Sequence, residues 1–204
     1  MSERQTHWDN IYATKPANSV SWFQPSARPS LEMIRATGIG HSTPIIDVGA
    51  GASVLVDELL SDGFDDITVL DIAAPALTVS QQRLGSRVGL VHWIIADVLG
   101  WKPQRSYGLW HDRAAFHFLT DAQDRLTYRD VVERALAPGG WLILATFAAD
   151  GPERCSGLPV HRWSAEALAA EWGDGFALID ALREEHVTPW GAAQAFTWCR
   201  FRRI

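Results

Sequence analysis

Three aspartates carry the clearest chemical pattern in this chain of 204 residues. Asp47 closes the apolar run Pro44-Ile45-Ile46 and leads into Val48-Gly49-Ala50-Gly51-Ala52-Ser53. Asp71 closes Ile67-Thr68-Val69-Leu70, and Asp97 closes Ile94-Ile95-Ala96 just ahead of Val98. An apolar run, a carboxylate and a glycine-broken turn make the pattern of a strand feeding a helix, whose first N–H groups are open to a polar ligand. A carboxylate ending the second strand can accept from two neighbouring hydroxyls, as on a ribose. One ending the third strand offers an acceptor to an exocyclic amine, with Val98 beside it for a flat ring. Each of Asp47 and Asp71 also has a plain structural use, as a turn cap or a surface carboxylate. Their shared position at the carboxyl ends of adjacent strands is what points to a nucleotide-type pocket.

A second group of reactive side chains lies in Leu109-Trp110-His111-Asp112-Arg113-Ala114-Ala115-Phe116-His117-Phe118. His111 or His117 can serve as a general base, with Asp112 to orient it. Arg113 offers a fork for an acidic substrate. The alternative for His117 is a helix-edge ring with a satisfied nitrogen. Cys155, in the loop after a fifth strand, is either a reactive thiol or an inert small hydrophobe. His186, Pro189 and Gln194 flank the turn of a final hairpin, where they can close a pocket from above. His111, Asp112 and His117 lack the spacing of a metal site, and no metal is expected.

These side chains need a frame. A helix is expected over 7–14, then a loop marked by Pro16, Pro25 and Pro29, then a helix from Ser30 to Thr37 with Ser30 as its cap. Strands are expected at 44–48, 66–71, 89–96, 106–112 and 140–147, the last after the turn Ala137-Pro138-Gly139-Gly140. Helices are expected at 54–62, 74–84, 120–136 and 164–172, and two closing strands at 176–185 and 194–203. Successive β-then-α units require a parallel sheet covered on both faces, and the closing pair should form an antiparallel edge hairpin. The expected fold is α/β: a three-layer sandwich around a mostly parallel, seven-stranded, doubly wound Rossmann-like sheet. Residues 1–204 read as one domain, with 1–40 an N-terminal helical lid and 41–204 the Rossmann-like core.

Composition narrows the partners. A net charge of −6 argues against nucleic acid. Two cysteines exclude a disulfide framework and a cysteine-based zinc site. No apolar run approaches the ~20 residues of a membrane span, and the polar start Met1-Ser2-Glu3-Arg4 has no secretory character, so a cytoplasmic location is expected. Ten tryptophans are many for this length, and several flank polar segments where they can stack on a flat ligand.

Taken in order, Val48-Gly49-Ala50-Gly51 with Asp47, Leu70-Asp71, Ala96-Asp97-Val98 and Leu136-Ala137-Pro138-Gly139-Gly140 resemble the motif series of class I S-adenosylmethionine-dependent methyltransferases, over roughly residues 40–150. The resemblance implies S-adenosylmethionine as cofactor and S-adenosylhomocysteine as product. It implies that Gly49 and Gly51 let the methionine part lie against the backbone, that Asp71 holds the ribose hydroxyls and that Asp97 holds the adenine amine. The cofactor-binding set then comprises Asp47, Gly49, Ala50, Gly51, Asp71, Ile72, Asp97, Val98, Trp8, Trp22 and His111, the last through its backbone. Ser53 stands where the family often has a third small residue. His7-Trp8-Asp9, Tyr12 and Trp22-Phe23 resemble the aromatic lid of small-molecule methyltransferases, including thiol and halide methyltransferases. Aromatic faces attract a sulfonium and exclude water, although the same rings can simply pack a helix onto the sheet.

The function expected is methyl transfer to a small-molecule acceptor, with a protein lysine as the alternative acceptor. A nicotinamide-dependent dehydrogenase fits less well: Val54 occupies the third glycine position of that fingerprint, and no Tyr-x-x-x-Lys pair is present. A non-catalytic cofactor-binding protein is the remaining reading.

Overall fold

The computed structural model describes residues 2–204. α1 (Glu3–Thr14) and α2 (Arg28–Arg35) precede β1 (Ile45–Val48). α3 (Leu55–Ser61), β2 (Ile67–Asp71), α4 (Ala74–Leu84), β3 (Val91–Ile95) and β4 (Tyr107–Arg113) follow. Then come α5 (Ala122–Ala135), β5 (Leu136–Phe147), a short hairpin of β6 (Arg154–Cys155) and β7 (Leu158–Pro159), α6 (Ala165–Trp172), β8 (Phe176–Val187) and β9 (Ala193–Arg203). The sheet runs β3-β2-β1-β4-β5-β9-β8. β1 to β5 pair in parallel, whereas β9 lies antiparallel between β5 and β8.

β1 and β2 are apolar, mostly β-branched and buried throughout, as central parallel strands covered on both faces must be. One face carries a core that includes Ile34, Leu55, Leu59, Leu77 and Trp198, under α2, α3 and α4. The other carries Trp110, Tyr128, Val132, Trp172 and Phe201, under α5 and α6. Each large apolar side chain so buried contributes about 1.5–3 kcal/mol. The three-layer α/β sandwich stands as the sequence implies.

Three local features differ. α1 starts at Glu3, because the Ser2 hydroxyl caps it by accepting from the Gln5 N–H. α2 starts at Arg28, since Pro29 favours a first helical turn, and Ser30 is buried inside the helix rather than capping it. The turn at Ala137–Gly140 lies inside β5 as a register shift against β4, with Gly139 at φ +68. Among the described residues no helix is long and apolar enough to cross a membrane, and no group of three His, Cys, Asp or Glu side chains is placed to hold a metal ion.

Candidate active site

The turn after β1 has a left-handed backbone at Gly49 (φ +65) and Gly51 (φ +56). A Cβ at Gly49 would collide with the Ala115 side chain, and one at Gly51 with the Tyr12 hydroxyl. Glycine is therefore demanded twice over, by conformation and by space. The Gly51 N–H donates to Asp71 Oδ2 at 2.7 Å, and the Ala73 N–H donates to Asp71 Oδ1 at 2.7 Å. One carboxylate thus ties the glycine turn to the end of β2. Burial pushes Asp71 up to about 6; those two N–H groups oppose the shift, while the charges of Asp47 and Asp9 add to it.

A cavity of about 830 Å³, counting its mouth, opens above this turn. Gly49, Asp71, Ile72, Asp97, Val98, Trp8 and Trp22 line it, so the rim residues of β1, β2 and β3 share one space. Asp97 Oδ1 accepts from the Leu99 N–H at 3.0 Å, and its Oδ2 lies 3.6 Å from Arg4 Nη1 of α1. Arg4 also pairs with Asp124, so α1 lies across the cavity with its end tethered on the far side. Trp8 meets Trp22 and Phe118 edge-on, at 5.7 and 5.0 Å between ring centres. Trp22 Nε1–H donates to the Tyr12 hydroxyl at 3.1 Å. On α1, Asp9 Oδ1 is sealed from solvent with no donor. Carboxylates and aromatic walls suit a ligand with hydroxyls and a flat ring.

A second space of about 550 Å³ lies behind the glycine turn and shares Tyr12, Trp22, Gly49 and Arg113 with the first. Asp47, Ala50 and His111 line this second space instead of the first. Asp47 pairs in register with Val69, two residues short of Asp71, so its carboxylate sits below the rim rather than in a row with Asp71 and Asp97. It is also the register neighbour of His111, whose Nδ1–H donates to Asp47 Oδ1 at 2.7 Å. His111 Nε2 is buried without a partner.

Two expectations for proton transfer are corrected. Asp112 orients neither histidine. It lies on the opposite face of β4 and accepts from the Ala115 N–H at 2.9 Å, the Phe116 N–H at 3.0 Å and the Tyr128 hydroxyl. Its work is to shape the turn after β4, and burial pushes it up to about 6. His117 lines neither cavity. Its Nδ1 accepts the Phe147 N–H at 3.3 Å, which leaves the proton on Nε2, and its ring lies between Phe118 and Phe147. Burial, then the charge of Arg113, pushes it down to about 3, far too low for a useful base at neutral pH.

The remaining candidates divide. Cys155 lines the first cavity, but burial pushes its thiol up to about 11, which fits the inert reading. His186 bonds the Ser21 carbonyl at 2.7 Å, and neither it, Pro189 nor Gln194 lines either of these two cavities. Arg4 and Phe118 line the main cavity without having been singled out. Arg4 lies in a polar N-terminal stretch with no local signal, and its partners are 93 and 120 positions away.

Residues 45–140 match the family model described as a methyltransferase domain. The chain is 26% identical over 107 residues to malonyl-[acyl-carrier protein] O-methyltransferase 2 of Ilyobacter polytropus, a match covering 52% of this chain and 40% of that protein. The chain therefore spans about two fifths of the length of that curated relative. Among solved structures, the N-methyltransferase NodS of Bradyrhizobium japonicum in complex with S-adenosylhomocysteine superposes with a TM-score of 0.74 at 16% identity, covering 97% of this chain and 98% of that one. The glycopeptide N-methyltransferase MtfA with S-adenosylmethionine gives 0.67 at 16% identity, covering 91% and 97%. A structure from work on conversion of a disulfide bond into a thioacetal group during echinomycin biosynthesis gives 0.75 at 18%, covering 98% and 92%. These likenesses show that the chain has a Rossmann-like fold.

Proposed function

We propose that this protein transfers a methyl group from S-adenosylmethionine to a small-molecule acceptor. One observation carries the reading: Asp71 and Asp97, from neighbouring strand ends, line a single cavity closed by Trp8, Trp22 and Phe118. In this reading Asp71 accepts from the ribose hydroxyls while holding the glycine turn, and Asp97 exchanges Arg4 for the adenine amine. Ile72 and Val98 pack the flat rings, and Gly49, Ala50 and Gly51 allow the methionine part to approach the backbone. When bound, the cofactor supplies a methyl group on a positively charged sulfur, open to in-line displacement. The chain's own contribution is to align the acceptor, surround the sulfonium with aromatic faces and keep water out. His111 is the candidate base that lines a cavity, with its Nδ1–H held by Asp47 rather than Asp112 and its Nε2 left to accept a proton.

The relatives include proteins named as O- and N-methyltransferases, and no observation favours a protein lysine over a small molecule. The nicotinamide reading loses further ground, because Val54 is the N-cap of α3, where its branched side chain replaces the glycine of that fingerprint. A screen with tritiated-methyl S-adenosylmethionine across thiols, halides, phenols, amines and cell extract tests the proposal. Label is expected in a small-molecule product. A labelled protein band with no small-molecule product would move the acceptor to a protein, and no transfer to any acceptor, by protein that binds the cofactor, would favour a non-catalytic role.

A further inference from the structure

Arg113 ends β4 at the junction of the two cavities and lines both. Its Nη1 donates to the Trp22 carbonyl at 3.1 Å, and its guanidinium carbon lies 4.7 Å from the centre of the Phe196 ring. Its Nε and Nη2 are sealed from solvent and have no partner at all. These two nitrogens share one edge of the guanidinium plane, with their N–H bonds nearly parallel, which is the edge that receives both oxygens of a carboxylate.

The missing partner is unusual within this molecule. Arg125 and Arg200 are also well covered, yet each lies within 4 Å of a carboxylate, Glu171 and Asp180 respectively. Among the described residues Arg113 has no carboxylate that close. Glu184 is near enough for its charge to be felt, but its oxygens already accept from Gln24 Nε2–H at 3.1 Å and Trp198 Nε1–H at 2.7 Å. Burial lowers Arg113 to about 10, so it remains a cation at neutral pH. A buried charge without a counterion is costly, and two orphaned donors add to that cost. An incoming anion removes both penalties.

We infer that the methyl acceptor is a carboxylic acid, anchored by its carboxylate on the Nε/Nη2 edge of Arg113 while its apolar body lies against Trp22 and Phe118. This rests on the proposed methyltransferase reading and adds the acceptor's chemical class to it. Arg113 is thereby a specificity-determining residue, and the anchoring group is separate from whichever atom receives the methyl group.

The test uses the full chain, with and without saturating S-adenosylhomocysteine, and matched probes: phenylacetate and hexanoate against phenylacetamide and hexanamide, by calorimetry and competition. The acids are expected to bind at least tenfold tighter than the amides. Arg113→Gln should erase that preference, and Arg113→Lys, which keeps the charge but loses the fork, should retain only part of it. Thermal unfolding of both variants separates loss of binding from loss of fold. Equal binding of acids and amides, or no acid binding, by the wild-type protein overturns the inference. So does an Arg113→Gln variant that binds S-adenosylhomocysteine tenfold more weakly but methylthioadenosine normally, because Arg113 then serves the cofactor's own carboxylate. Failure to bind S-adenosylhomocysteine at all counts against the methyltransferase reading, while the acid preference of the unliganded protein still decides the role of Arg113.

Discussion

In the proposed reading Asp71 does two jobs with one carboxylate. Its oxygens hold Gly51 and Ala73, and its remaining lone pairs face the cavity. Asp71→Ala should weaken S-adenosylhomocysteine binding by about 1–3 kcal/mol in calorimetry, the scale for losing one partner of a buried polar contact. Unchanged affinity would remove the ribose role. Since burial holds Asp71 near 6 and only the ionised form can accept from both hydroxyls, affinity should rise from pH 5 to pH 7 and then level off. The variant should lack that rise. His117 makes the opposite kind of prediction. Its folded value of about 3 lies below the ordinary 6.5, so the stability it contributes is present above pH 6.5 and lost as pH falls toward 3. By pH 5 the loss is about 2 kcal/mol. His117→Gln should lose less stability between pH 7 and pH 5 than the wild type in urea titrations, with turnover within a few-fold. A hundredfold drop in kcat in a folded variant would restore it as the base. The sequence suggested Asp112 as a histidine's partner because the two are adjacent in the chain. Strand alternation sends adjacent side chains to opposite faces, and the true partner of His111 is Asp47, 64 positions away.

At the scale of elements, we propose that α1, seated on the glycine turn, moves when a ligand enters. Tyr12 rests where a Gly51 Cβ would stand. Gly51→Ala should therefore lift α1, and also strain a backbone at φ +56. Hydrogen exchange is expected to show faster exchange in α1 while β1 and β2 amides remain protected. Unchanged α1 protection would mean that the helix is not seated on this turn. The frame itself was well announced. β1 and β2 are unbroken apolar runs closed by turn residues, and their ends fall within a residue of expectation. Ser30 misled because a serine before an apolar run looks like a cap, whereas Pro29 shifts the helix start upstream. β6 with β7, at two residues each, has no periodicity to read. The ion pairs of α1, Arg4 to Asp97 and Asp124, are tertiary pairings that no local pattern encodes.

Taken as a whole, the molecule has one seven-stranded sheet with a core on each face, and the cavity lies along its carboxyl rim. We propose that it folds as one domain, so that far-ultraviolet circular dichroism and tryptophan fluorescence report coincident urea transitions. Ligand binding at the rim should stabilise the whole, by about 2.7 kcal/mol at a hundred times Kd. Two separated transitions, with only one moved by ligand, would divide the chain into independent units. The account depends above all on what the rim recognises. Calorimetry of the full chain with S-adenosylhomocysteine and, in parallel, NAD tests this most directly. The expected result is saturable, one-to-one binding of S-adenosylhomocysteine that Asp71→Ala weakens, with no heat from NAD. Binding of NAD without S-adenosylhomocysteine would contradict it.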